Sequence, residues 1–341
     1  MVRSGARVTL GGGRESRAVA PEGGLVVVHA HPDDETLATG ALLATWAAAG
    51  QAVTVVTCTR GERGEVIDTA EHPTGVGALE GDGAGLAAYR EGELRAALTA
   101  LGVRDHLFLD TVPLPGDASD DGRTGVRYED SGMAWVAPGI AGAASDGSGA
   151  RPEGAFVGVG LDEAAARLAA VLGERRPAVV ATYDPDGGYG HPDHVRAHQV
   201  TVRALELLAA RPGTGTPPLW CVVQPPDQVR AARRALAAAP GLPDLALPDP
   251  DEAVLPPVAT WWHGAADALV VVPARPVQDR VAAALRAHAT QVQAVTVTEP
   301  AEGEALVGWY ALSNDVLAPL PAAEHYAPFR PGTGSPGTVA P

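Results

Sequence analysis

A chain of 341 residues with 46% hydrophobic content can bury a core large enough for one large domain or two smaller ones. A formal net charge of −16 argues against nucleic acid or an anionic membrane as partner. No apolar run approaches the roughly 20 residues that a membrane-spanning helix needs, so the composition is that of a soluble, cytoplasmic enzyme.

Residues 1–21 carry arginines but no apolar stretch, and read as a flexible leader instead of a signal peptide. Leu25–His31 predicts a buried strand that empties into His31-Pro32-Asp33-Asp34-Glu35. An Ala/Leu-rich helix over Asp34–Gly50 follows, with Gly50 as its stop. Gln51–Thr59 is a second strand; Cys58 within it fits a buried thiol better than a disulfide to Cys221, the only other cysteine. A Gly-rich loop, Gly61–Gly85, leads to a helix at Leu86–Leu101 and a short strand at His106–Asp110. Thr111–Gly154 is long and irregular, a kind of segment usually functional or disordered. Leu161–Arg175 predicts a helix and Ala178–Asp184 a strand, which opens into Tyr189-Gly190-His191-Pro192-Asp193-His194 and a helix to Ala210. This alternation predicts an α/β domain at 22–210: a Rossmann-like, mostly parallel sheet with helices on both faces. Beyond Arg211 the pattern changes. Strands at Leu219–Gln224 and Ala268–Val272 and helices at Pro226–Ala239 and Pro273–Gln293 make a smaller C-terminal α+β portion, 211–328, that caps the first. A Pro/Gly-rich tail, 329–341, reads as disordered.

The two His/Asp-rich segments both follow predicted strands. Strand C-terminal ends share one edge of an open parallel sheet, where ligands bind. His31, Asp34 and His194 offer two imidazoles and a carboxylate, and three protein ligands with an open position mark a catalytic zinc site. One ion per subunit is expected; the same set suits Fe2+. Asp33, beside Asp34, cannot easily join the same coordination, which leaves it to take a proton from an activated water. His191 can protonate a leaving amine. Asp193 either tunes His191 or caps the next helix. Tyr189, next to Gly187-Gly188, either packs in its loop or donates to an oxyanion. His29 either backs the site or packs within its strand. His198 lies one helical turn after His194, but Val195 stands where a His-Glu-x-x-His pair has its Glu. A nucleotide-binding module would need a G-x-G-x-x-G after the first strand, and there is none.

Together, His31-Pro32-Asp33-Asp34-Glu35 and His191-Pro192-Asp193-His194 resemble the LmbE-like (PIG-L) family of metal-dependent N-deacetylases. Val28–Gly40, Val55–Ile67, Tyr89–Gly102, Asp130–Ala134, Val180–Gln199, Ala287–Val292, Ala311–Asn314 and Glu324–Tyr326 also match, so the resemblance covers most of 25–326. It is closer still to members that deacetylate N-acetylglucosaminyl-inositol in mycothiol biosynthesis. The resemblance implies Zn2+ on His31, Asp34 and His194, with Asp33 as general base and His191 as general acid. It implies Tyr189 as a mobile oxyanion and substrate contact, and Asp193 tuning His191. Glu65, Arg90 and Asp130, the last in Asp130-Ser131-Gly132-Met133, match positions that hold sugar and inositol hydroxyls, and Met133 belongs to the same substrate site. The partner implied is a small amino-sugar inositol. A mycothiol S-conjugate amidase shares the metal motif, but typically has Pro where Gly190 stands here; another N-acetylglucosaminyl conjugate is the remaining alternative. Leu79–Gly85, Ala137–Gly154 and Pro240–Pro257 depart from the family pattern and leave the pocket rim undefined.

Overall fold

The computed structural model describes residues 7–10, 14–17, 21–114, 127–137, 140–143, 154–211, 215–301 and 303–329. Its first half contains β1 (Arg7–Leu10), β2 (Arg14–Arg17), β3 (Leu25–His29), α1 (Asp34–Ala48), β4 (Val53–Thr57), α2 (Gly83–Leu101), β5 (Asp105–Phe108), β6 (Met133–Ala137), β7 (Ile140–Ala143), α3 (Leu161–Arg175) and β8 (Val179–Thr182). There follow α4 (Gly187–Gly190), α5 (Pro192–Ala209), β9 (Leu219–Val223), α6 (Pro226–Ala237), α7 (Pro257–Thr260), β10 (Val270–Pro273), α8 (Gln278–Ala287), β11 (Gln293–Val297), β12 (Leu306–Ala311), β13 (Leu317–Pro321) and β14 (Ala323–Phe329).

All five residues of β3 are buried, and they alternate between two cores. Leu25 and Val27 face one core with Leu42 and Trp46 of α1, Leu94 of α2 and Leu285 of α8. Val26 and Val28 face the other, with Leu168 of α3 and Val200 of α5. A strand buried on both faces is what a parallel sheet between two helix layers requires. The sheet has seven strands in the order β10-β14-β9-β8-β3-β4-β5. From β5 to β9 neighbours run parallel, while β14 is antiparallel to both β9 and β10. The expected α/β class and mostly parallel sheet are thus what the chain forms. Strand order reverses at β3, which has β4 on one side and β8 on the other. The crevice at such a reversal, outside the strand C-terminal ends, is the ligand position of open α/β sheets.

The stretch beyond residue 211 supplies β9, β10 and β14 to this sheet, and a separate antiparallel sheet β11-β12-β13. Leu236 of α6 packs on that second sheet with Leu306, Trp309 and Leu317. Where Pro273–Gln293 was expected to be one helix, a 3-10 turn at Arg275–Val277 precedes α8, and the chain leaves helix at His288. The irregular stretch Thr111–Gly154 contains the hairpin β6–β7, and β1 and β2 pair within the leader. Of the expected disordered tail, 329–341, Phe329 instead closes β14; residues from 330 on and much of the 137–154 insertion lie outside the described residues. Among the described residues no helix is long and apolar enough to cross a membrane.

Candidate metal centre and catalytic site

The two His/Asp loops leave β3 and β8, which are neighbours. β3 ends at His29, and His31 sits in the turn before α1 with its amide donating to Asp34 Oδ2 at 2.9 Å. After β8, the Asp184 carboxylate takes the amides of Asp186 (2.9 Å) and Gly188 (2.7 Å), which ties down the start of the Gly-rich loop. Pro192 then opens α5 at a position where a missing N–H costs nothing.

Asp34 bridges the two loops. Asp34 Oδ2 lies 3.2 Å from His31 Nδ1 and 3.3 Å from His194 Nε2. His194 Nε2 is buried and makes no hydrogen bond among the described residues. Ligand atoms bound at ordinary zinc distances on a tetrahedron stand about 3.3 Å apart; the two contacts of Asp34 have that spacing, and with the unsatisfied His194 nitrogen they fit a divalent cation between the loops. On its far side, His31 Nε2 donates to Asp193 Oδ2 at 3.2 Å, with Asp130 Oδ1 at 3.6 Å. Ser131 pins Asp193 through its amide (2.8 Å) and hydroxyl (2.6 Å). A carboxylate behind a ligating histidine fixes ring orientation and raises ligand basicity. Burial opposes a charge on His31, but Asp130, Asp193 and Asp34 outweigh it and hold its pKa well above the ordinary value. A cation at Nδ1 would take the place of one of those protons. Burial likewise opposes ionisation of Asp34, and the adjacent His194 and His31 outweigh it, leaving Asp34 well below the ordinary carboxylate range. Tyr183 stacks on His194, with ring centroids 4.2 Å apart and planes 9° from parallel. Its hydroxyl accepts the Ala30 amide at 2.9 Å.

Asp33 stands beside this cluster in a left-handed backbone conformation, φ 103°. Its Oδ2 accepts from Arg90 Nη2 at 3.1 Å. Burial, against the opposing pull of Arg90 and with help from Asp34, pushes its pKa up to about 7. Arg90 is buried; it donates to the carbonyls of Gly61 (2.8 Å) and Pro32 as well, and its Nε has no hydrogen-bond partner among the described residues. Glu35, the next acid along, is fully buried against His288.

The remaining sequence-predicted residues are not all where expected. His191 lies close to the cluster: His31, His191 and His194 each bring a ring nitrogen within 4.8 Å of the others. Its Nδ1 accepts the Asp193 amide at 3.1 Å, so His191, and not Asp193, caps α5. The Asp193 carboxylate therefore faces His31 and Ser131, where the sequence reading expected it on His191. Nor is His191 held as an imidazolium. Burial, then His194 and His31, bring its pKa far down, and an occupied Nδ1 puts the single ring proton on Nε2. Tyr189 lies edge-on to His194 at 5.2 Å, and burial raises its pKa, which keeps its hydroxyl a donor. Asp130 is inside the cluster. Met133 is half-buried at the start of β6, while the Glu65 side chain is exposed and its carbonyl is held by Gln291 at 2.7 Å. His29 bonds Thr39 at 2.9 Å, and His198 bonds the Tyr183 carbonyl at 2.9 Å; both are packed histidines. Tyr183, Ser131, Glu35 and His288 were given no role in the sequence reading. Gly190 has φ +94°, and a Cβ there would meet the Ala141 carbonyl at 2.6 Å. Proline, fixed near φ −65°, is excluded from that position while β7 packs there.

Residues 26–205 match the PIG-L family model, described as GlcNAc-PI de-N-acetylase. A 1D-myo-inositol 2-acetamido-2-deoxy-alpha-D-glucopyranoside deacetylase of Streptomyces avermitilis is 42% identical over 328 residues, which cover 93% of this chain and 95% of that protein. Proteins of the same name from Kineococcus radiotolerans (42% over 329 residues, 92% of this chain and 79% of that protein) and Saccharopolyspora erythraea (43% over 316 residues, 89% and 88%) are similarly related.

Proposed function

The chain belongs to the PIG-L family, and from that premise we propose that it is a cytoplasmic, zinc-dependent deacetylase that converts N-acetylglucosaminyl-inositol to glucosaminyl-inositol and acetate, the substrate its relatives' names give. One observation carries the reading: at the sheet's reversal point Asp34 Oδ2 lies within 3.3 Å of both His31 Nδ1 and His194 Nε2, and that buried His194 nitrogen has no hydrogen bond among the described residues.

A divalent cation held by those three residues would supply hydroxide at neutral pH and polarise the acetamide carbonyl. The rest of the chemistry belongs to the side chains around it. Asp33 takes the proton of the attacking water as the C–O bond forms. Once protonated, Asp33 gives that proton to the nitrogen as the C–N bond breaks. His191 acts as a neutral Nε2–H donor to the oxyanion, which its capped Nδ1 requires, and Tyr189 is the second donor. Asp193 serves His31. Asp130, Arg90, Met133 and Glu65 contact the sugar and inositol. Gly190 favours this substrate over a mycothiol S-conjugate, since the sister amidase carries proline there.

The test is amine release by zinc-loaded protein from N-acetylglucosaminyl-inositol and, side by side, from a mycothiol S-conjugate. At least about tenfold higher kcat/KM on the former, or 1.4 kcal/mol of transition-state discrimination, is expected; the opposite preference would overturn the substrate and leave the metal centre standing. Asp33→Asn is expected to lower kcat about 10²-fold or more with zinc retained. Loss of zinc instead would make Asp33 a ligand.

A further inference from the structure

Among the sequence features this mechanism leaves unused are the closing acid of His31–Glu35 and the segment Ala287–Val292. The fold joins them. Glu35 and His288 are both fully buried, and His288 Nε2 donates to Glu35 Oε1 at 2.8 Å. The Thr36 hydroxyl donates to the same oxygen. The other oxygen, Oε2, accepts the backbone amide of Asp33 at 2.9 Å.

That amide belongs to a residue whose backbone is strained. Asp33 has φ 103° and ψ −36°, a region that a non-glycine residue keeps only where its surroundings over-determine it. The peptide between Pro32 and Asp33 is gripped on both edges: Arg90 donates to its carbonyl, and Glu35 accepts its N–H. On the other side of the Asp33 Cα, its own carbonyl accepts the amides of Thr36 and Leu37, each at 2.9 Å. With the planes before and after the Cα both fixed, φ is fixed, and the direction of the side chain follows from it. Glu35 can grip only if it cannot swing, and His288 denies it that freedom. His288 is itself set at the end of α8, with its carbonyl accepting the amides of Gln291 (2.9 Å) and Val292 (2.8 Å).

We infer that Glu35 and His288 are positioning residues that hold the Asp33 backbone in its left-handed conformation and so aim the Asp33 carboxylate. The inference rests on the role proposed above for Asp33. A positioning residue loses its effect when the group it positions is removed, whereas a residue that merely supports the fold does not.

The test is a double-variant cycle on the zinc-loaded protein. Glu35→Ala is expected to lower kcat about 10-fold to 100-fold, with KM within about twofold and full zinc content by metal analysis. Glu35→Gln, which keeps an oxygen for the Asp33 amide, is expected to stay within about threefold of the parent. In Asp33→Asn, adding Glu35→Ala should slow turnover no further. Losses that multiply in the double variant would overturn the inference, as would a Glu35→Ala protein with the parent's kcat. Should Glu35→Ala fail to fold, His288→Asn replaces it in the same cycle with the same two readings. Asp33→Asn at the parent's rate is a separate result: it would overturn the role of Asp33 itself and this inference with it.

Discussion

At His31 one imidazole has its two nitrogens committed in opposite directions, Nδ1 toward Asp34 and Nε2 toward Asp193. The second contact makes a prediction about metal affinity and not about proton transfer. Asp193→Asn is expected to weaken zinc binding about 10–100-fold, measured by competition with a chelator, with kcat recovering at saturating zinc. Unchanged affinity with a permanently reduced kcat would return Asp193 to His191. A second test concerns Tyr183. Tyr183→Phe keeps the ring on His194 and removes the acceptor of the buried Ala30 amide, so a stability loss of about 1–3 kcal/mol is expected in thermal melts, with zinc retained. That the two His/Asp loops lie side by side was legible in the sequence because strand ends in a parallel sheet share an edge. Which carboxylate faces which ring was not. That is decided by Ser131, which arrives from a distant segment to hold Asp193, and by the choice of His191 as the cap of α5.

The element that carries Asp33–Glu35 is a broken helix. Asp34–Gly50 reads as one uninterrupted Ala/Leu-rich run, yet Thr39 departs from helical geometry (φ −138°, ψ 18°). The Thr39 hydroxyl returns to the Glu35 carbonyl at 2.9 Å and meets His29 at 2.9 Å. The break frees the amides of Ala41 and Leu42, and the half-buried Glu324 carboxylate accepts them at 2.6 and 2.9 Å, with a third bond from Tyr326. No local pattern announces such a break, because the group that satisfies it lies at the other end of the chain. Burial pushes Glu324 up from 4.5 to about 7, against the donors that favour its charge. The unfolded chain then gives up this proton near 4.5 and the folded chain near 7, so rising pH between those values favours unfolding. Glu324→Gln has no such proton. The variant's melting temperature relative to the parent is expected to rise from pH 5 to pH 8, by an amount equivalent to at most about 3 kcal/mol. A difference that stays flat would mean a Glu324 ionised throughout.

Over the whole molecule, the first half was legible and the last quarter much less so. Buried Val-rich strands alternating with Ala/Leu-rich helices have few alternatives to a parallel sheet. Strands β13 and β14 contain Pro319, Pro321 and Pro328 and the polar pair Glu324-His325, and proline within a run argues against a central strand. Nevertheless β14 lies between β9 and β10, antiparallel to both, with Tyr326 fully buried. A chain ended at Ala322 is expected to be insoluble or to melt without a cooperative transition, since it loses β14, opens the edges of β9 and β10, and uncaps α1. A soluble, cooperatively melting product would show that β14 is dispensable. The position of β14 also imposes an order on synthesis. It follows every other described strand, so while the ribosome is still reading toward residue 329, β9 waits with an unpaired backbone edge of the kind that recruits other chains. His31, Asp34 and His194 have left the ribosome long before then, but His288 and Glu324 have not. A prematurely released chain would carry every proposed zinc ligand and still be an aggregation hazard instead of a slow enzyme, so the cell's quality control has the whole interval of translation between β9 and β14 to guard.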